Sequence, residues 1–317
     1  MIIAPMTTTS SSAASLQGAV RLGDWGLIRA QGDDAASFLH GQLTQDMTSL
    51  REGQARLAGY CSAKGRLLAS FVAWKSDAST VLLACSADLL PQTLKRLSMF
   101  VLRAKCKLSD ASADAALYGL AGDAAREWLG PQAPAQAWQS AAIGDAMALR
   151  LPDADGVPRY LLCTPAQSLA PQLPVLPADT WAWLEARSAV PRIVAATVEQ
   201  FVPQMVNLEA LDGVNFRKGC YPGQEVVARS QYRGTLKRRG FLFDADAAAA
   251  PGQEVFSSAD PDQPAGMVVN AGSHDGAHAA FIELKISALE GGSLHLGSAA
   301  GPQLHPAALP YALPTEA

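Results

Sequence analysis

The sequence is short of the features that announce a metal, membrane or nucleic-acid protein. Its five cysteines, Cys61, Cys85, Cys106, Cys163 and Cys220, are odd in number and show no CxxC spacing. No zinc or iron-sulfur ligand set is self-evident, so no metal is expected, and a reducing compartment fits better than a disulfide framework. The most apolar stretch, Val81 to Leu90, is broken by Ser86 and Asp88 and falls short of the roughly 20 residues that cross a bilayer. Met1 to Ser15 has no Lys or Arg, which suits neither a secretory leader nor an Arg-rich transit peptide. The expectation is a disordered N-terminus over 1–19 in a cytoplasmic protein. There is no GxGxxG turn and no regular strand-helix alternation, which argues against a dinucleotide-binding sheet. Basic residues are not in excess either: 25 Lys and Arg stand against 29 Asp and Glu, a net charge of -4. That balance speaks against a general nucleic-acid binder, although a local basic patch remains compatible with it.

What is present is a foldable chain. Its 317 residues, 49% hydrophobic and 17% charged, are too apolar for disorder and long enough for two or three domains. The pattern predicts a strand over 24–29, a turn and helix N-cap signal at Gly32-Asp33-Asp34, and a helix carrying Ala35, Phe38, Leu39 and Leu43. Residues 56–61 and 66–74 read as strands of a hairpin closed by Ser62-Ala63-Lys64-Gly65. A further strand over 81–85, a helix over 88–104, strands near 146–151 and 160–163 and a helix from Trp181 follow, with Gln132 to Ala142 as a surface connection. The class is α+β. From Lys237 onward short apolar runs separated by turn residues predict a small all-β barrel or sandwich. The expected organisation is an α+β body over 20–238 in two lobes, with a discontinuous boundary near 50–115. A C-terminal β-barrel over 239–305 and a tail over 306–317 complete it.

Chemistry concentrates in Asn207 to Gly240, NLEALDGVNFRKGCYPGQEVVARSQYRGTLKRRG. Tyr221-Pro222-Gly223-Gln224-Glu225 reads as a helix entry, with Pro in the first turn and an acid near the positive end. The helix is expected to run to Arg233, with Gly234 as its stop and Glu225 and Arg229 at i, i+4. Cys220 then lies just ahead of a helix N-terminus and beside Arg217 and Lys218, and both factors favour a thiolate. The ordinary alternative for a free cysteine is a buried, inert one; Cys106, between Lys105 and Lys107, is assigned that structural role. Seven basic residues (217, 218, 229, 233, 237, 238 and 239) accompany the single acid Glu225 between 217 and 239. They form either a solvated face or an anion site.

The run KGCYPGQE, preceded by PQxxNLxAL and followed by VARxxxRGxxKR, resembles the signature of YgfZ-type folate-binding proteins, relatives of the glycine-cleavage T-protein (aminomethyltransferase) fold. GDDAASFLHGQLTQDM at 32–47 and CSAKGRLLASF at 61–71 resemble the family's first helix and its KGR hairpin. The resemblance covers nearly the whole chain from about residue 20. It implies a body of ferredoxin-like lobes around a central tetrahydrofolate cavity, plus an antiparallel β-barrel. The implied role is support of iron-sulfur cluster assembly or repair in enzymes, among them those that methylthiolate tRNA. Carried over by position, Cys220 is the functional thiol, and Lys218, Gly219, Tyr221, Gly223, Gln224 and Glu225 shape its loop. Arg229, Arg233 and 237–239 match the basic stretch that follows. Pro222 stands where many relatives have Thr.

A folate asks for a slot with aromatic or apolar walls, an acceptor for the pterin N-H groups, and cations for its glutamate carboxylates. Gln204, Asn207 and Glu209 are candidates for the pterin end, although Asn and Glu before a helix also serve as caps. Trp25 and Tyr60 are nominated for the walls, and Arg229 and Arg233 for the tail. His274 and His278 are read as flanking an Asp275-Gly276 turn rather than as a metal pair. Three functions compete: a folate-binding accessory factor acting through Cys220 on iron-sulfur enzymes or assembly proteins, an aminomethyl transferase, and an RNA-binding module. The first is preferred, with tRNA-modifying enzymes served indirectly and direct tRNA contact disfavoured.

Overall fold

The computed structural model describes residues 16–232 and 236–314. In chain order its elements begin with β1 (Gly18–Arg21), β2 (Trp25–Gln31), α1 (Ala35–His40), β3 (Ala55–Cys61), β4 (Leu67–Asp77), β5 (Thr80–Ser86), α2 (Leu90–Ser98) and β6 (Lys107–Asp110). There follow β7 (Ala115–Ala121), α3 (Gly122–Leu129), β8 (Ser140–Ile143), β9 (Ala146–Ala154), β10 (Val157–Pro165), α4 (Ala178–Arg187) and α5 (Gln224–Tyr232). The last six strands are β11 (Arg238–Ala245), β12 (Glu254–Ser257), β13 (Asp260–His274), β14 (Ala277–Lys285), β15 (Leu294–Leu296) and β16 (Gln303–Ala307).

Two five-stranded antiparallel sheets share one topology, β3-β4-β5-β2-β6 in the first lobe and β1-β7-β10-β9-β8 in the second. Each is a ferredoxin-like β-α-β-β-α-β arrangement with one extra edge strand. β1 occupies in the second lobe the place that β6 holds in the first. This topology crosses between lobes at 21–25 and again after Asp110, so the first crossing lies well before the expected 50–115 and the second within it. It also places Gly18 and Ala19 in a strand paired with Ala121 and Leu120, although both fall in the stretch expected to be disordered; residues 1–15 lie outside the described residues. The lobes join edge to edge, where the Ala55 N-H donates to Trp138 O at 2.7 Å and the Ser140 N-H to Gly53 O at 2.9 Å.

β4 is buried along nearly its whole run from Leu67 to Trp74. A strand covered on both faces needs no polar alternation, which is why LLASFVAW is continuous in the sequence. α2 ends at Ser98, earlier than its apolar pattern suggests, and Leu102 adopts a left-handed φ of 44°. β11 to β16 close into a six-stranded antiparallel barrel in the order β11-β14-β13-β12-β15-β16. The expected tail is in part structured: β16 reaches Ala307, and the hydroxyl of the half-buried Tyr311 donates to Ala189 O at 2.8 Å. Among the described residues no helix is long and apolar enough to cross a membrane.

Candidate functional site

The Cys220 loop is pinned from three sides. Lys218 Nζ donates to His40 O at 2.5 Å and Leu43 O at 2.9 Å, the carbonyls at and just beyond the end of α1. A cation there is favoured by the helix dipole as well as by the bonds themselves. The same ammonium lies 4.6 Å from the centre of the buried Tyr221 ring. Behind the loop, α5 is seated by the fully buried Val227, whose carbonyl accepts from Gln204 Nε2 at 2.8 Å.

From the third side, the β3-β4 hairpin meets the loop backbone to backbone. Gly223 and Gly65 both take positive φ, 79° and 70°. A Cβ on Gly223 would stand 2.4 Å from Ser62 O and 2.6 Å from Gly65 Cα, and one on Gly65 would stand 2.8 Å from Val226 Cβ. The two tips therefore interlock only because neither carries a side chain.

This clamp leaves Cys220 exposed. Burial pushes the Cys61 and Cys85 thiols up to about 12 and Cys163 up to about 11. Cys106 is also raised, by burial and then by Asp34. Burial pulls the Lys218 ammonium down to about 8, against the opposing pull of Asp46 and Cys220. Since an ordinary lysine titrates near 10.5, the unfolded chain holds this proton more tightly than the folded one between those values. Stability should then rise with pH across that window relative to a Lys218→Met variant. Urea unfolding at pH 7.5 and 9.5 checks this; a stability difference independent of pH would contradict it.

α5 starts at Gln224, later than expected, and among the described residues no ion pair joins Glu225 to Arg229, both of which are exposed. Much of the basic stretch is used internally. Arg238 pairs with the buried Glu283, and Arg239 with Glu209, both side chains of the latter pair being almost wholly enclosed. Arg217, Arg229 and Lys237 remain exposed, and Arg233 lies outside the described residues.

Most residues nominated for folate have other tasks. Asn207 Nδ2 donates to Gly240 O at 2.8 Å and the Gly240 N-H donates back to Asn207 Oδ1 at 3.2 Å, so Asn207 fastens the barrel's first strand to the body. Gln204 holds α5, Glu209 holds Arg239, and Tyr60 is sealed in the first lobe's core. Arg229 faces outward from α5. His274 and His278 flank a hairpin turn and bond to Thr180 and Ser273.

Trp25 is different, because it lines a slot between the two lobes, beside the junction of all three units. A cleft of about 260 Å³ is lined by Arg21 of β1, Trp181 and Glu185 of α4, Arg192, and Asn270 of β13. It shares Glu185 and Arg192 with a slot of only about 30 Å³, also lined by Trp25, Phe71, Trp138 and Arg159. Arg192 lies over the Trp25 ring at 5.0 Å, pairs with Asp24 and stands 4.0 Å from Glu185. Burial raises the Glu185 carboxyl, while Arg192 and Arg159 oppose that shift. Burial also lowers the enclosed Arg159 guanidinium to about 10. The buried Trp25 Nε1 and Arg192 Nη1 donors have no hydrogen-bond partner. An acceptor in Glu185, an aromatic face in Trp181, a cation in Arg192 and its orphaned donor are groups a folate requires, and the residues of the cleft fit it in kind. Glu185, Arg159, Arg192 and Trp138 escaped the sequence reading.

No family model matches the chain. A tRNA-modifying protein YgfZ of Edwardsiella ictaluri is 36% identical over 259 residues, covering 73% of this chain and 72% of that protein. The chain belongs to the YgfZ family. A second YgfZ protein, of Klebsiella pneumoniae, is 32% identical over 256 residues and covers 78% of this chain and 77% of its own length. Among solved structures, the glycine cleavage system aminomethyltransferase T of Bartonella henselae superposes on this YgfZ-family chain with a TM-score of 0.70. The match covers 95% of this chain and 88% of that one at 16% identity, which shows a shared fold.

Proposed function

We propose that this chain is a tetrahydrofolate-binding accessory factor that supports iron-sulfur cluster assembly or repair, and through it tRNA methylthiolation, with Cys220 as its functional thiol. The observation that carries the reading is the cleft where both lobes and the barrel meet. There Glu185 would accept the pterin N-H groups, Trp181 would flank the ring and Arg192 would supply positive charge, with Trp25, Trp138 and Arg159 lining the slot that adjoins it. Tetrahydrofolate, when bound, supplies nitrogens able to carry a one-carbon unit. The tRNA connection rests on the names of the relatives.

Cleft and thiol are distinct sites joined by the β3-β4 hairpin. Leu57 lines the slot and Ser62, just past the end of β3, touches the Cys220 loop; the five steps between them span about 16 Å at roughly 3.3 Å per residue. A single thiolate supplies one of the four ligands of a typical cluster. Any cluster handled at Cys220 is therefore shared with a partner, which suits an accessory factor acting on iron-sulfur enzymes or assembly proteins. An RNA-binding role is less well served, because Lys218, Arg238 and Arg239 are already committed to internal contacts.

In cells lacking their own copy of the protein, the wild-type chain is expected to restore tRNA methylthiolation and Cys220→Ser to fail while accumulating normally. Equal restoration by both would remove the thiol from the account.

A further inference from the structure

The cluster around Cys220 contains a histidine whose orientation is fixed by a carboxylate. His40 closes α1, and its Nδ1 lies 2.8 Å from Asp46 Oδ1. Thr48 and Ser49 donate to the same carboxylate from their backbone and side chains. Although burial works against it, those bonds and His40 hold the Asp46 carboxyl well below the usual carboxylate range. An ionised Asp46 accepts from Nδ1-H, so the neutral imidazole carries its lone pair on Nε2.

Nε2 is turned toward the Cys220 loop. A Cβ built on Gly219, the residue before Cys220, would stand 3.4 Å from it. Gly219, lacking a side chain, lets the ring stand against the backbone next to Cys220, and Lys218 ties this loop to the His40 carbonyl. The charged and titratable groups placed around this ring and the loop before Cys220 are Asp46, Lys218, Tyr221 beneath the Lys218 ammonium, and Arg56, which donates to the Asp46 carbonyl.

We propose that His40, oriented by Asp46, accepts the proton of the Cys220 thiol, so that the exposed cysteine works as a thiolate paired with an imidazolium. The proton passes from Sγ to Nε2, no bond between heavy atoms changes, and Asp46 balances the new imidazolium charge. The Lys218 ammonium adds positive charge on the loop side. The inference rests on the reading of Cys220 as the functional thiol, and it names the group that activates it.

The test is the rate at which iodoacetamide alkylates Cys220 in the full chain, followed by peptide mass between pH 5.5 and 9. In that reaction the thiolate forms the S-C bond and iodide leaves. In the wild type the rate should persist into the acid limb, whereas His40→Gln should slow it at least tenfold at pH 6.5 and leave a single alkaline rise. Added imidazole should restore part of the rate in His40→Gly. Gly219→Ala keeps both His40 and Asp46 but crowds Nε2, and should also slow the acid limb. Superimposable profiles for folded wild type and His40→Gln, or no imidazole rescue, would overturn the proposal. If the profiles separate as expected while Cys220→Ser still restores tRNA methylthiolation, the histidine-thiol pair stands and the functional reading of Cys220 fails.

Discussion

Glu185→Gln is expected to weaken tetrahydrofolate binding between ten- and a hundredfold without unfolding the chain. The carboxylate faces the junction cleft from α4, with Arg192 and Arg159 as its charged neighbours. A carboxylate accepts from two pterin N-H donors at once, while the amide turns an N-H toward one of them. Hydrogen bonds to charged groups contribute about 1.5–3 kcal/mol, which corresponds to that range of affinity. Arg192 keeps Asp24 as a partner in the variant, so the loss should be confined to binding. Glu209→Gln serves as the contrast: Glu209 pairs with Arg239 away from the cleft, and calorimetry should find its folate affinity unchanged. Equal losses in the two variants would contradict the placement of the pterin.

The second large effect concerns Gly223, where even alanine should cost about 3 kcal/mol or more of stability. Its φ of 79° disfavours any side chain, and the added Cβ would meet the Ser62 carbonyl and the Gly65 Cα, both backbone. Backbone cannot rotate aside as a flexible side chain can. The variant must separate the hairpin tip from the start of α5, loosening the loop that presents Cys220. Urea unfolding monitored by circular dichroism should show a lower midpoint, or hydrogen exchange should show early opening of 62–66 and 219–227. A variant with wild-type stability and wild-type protection there would refute the interlock.

Those two sites differ in how far the sequence announces them. The hairpin tip SAKG and the loop CYPGQE are local patterns, and β3, β4 and α5 formed close to where turn and periodicity signals placed them. The barrel was legible for the same reason, since each short apolar run is bounded by turn residues. The cleft was not. Trp25, Trp138, Arg159, Glu185 and Arg192 are scattered over both lobes and α4, and no spacing links them until the sheets pack. Asn207 and Glu209 are the opposite case: polar residues close together suggested a ligand, but their partners Gly240 and Arg239 lie some thirty residues on, and they engage both Asn207 amide atoms and one Glu209 oxygen internally. β1 shows the same limit, because its pairing partner β7 begins about a hundred residues later.

The most direct measurement is an anaerobic calorimetric titration of tetrahydrofolate into the wild-type chain, Cys220→Ser and Glu185→Gln. The account predicts that wild type and Cys220→Ser bind alike with one site each, while Glu185→Gln binds far more weakly. No binding to the wild type, or binding lost with Cys220 and retained without the Glu185 carboxylate, would contradict a folate site at the junction of the three units.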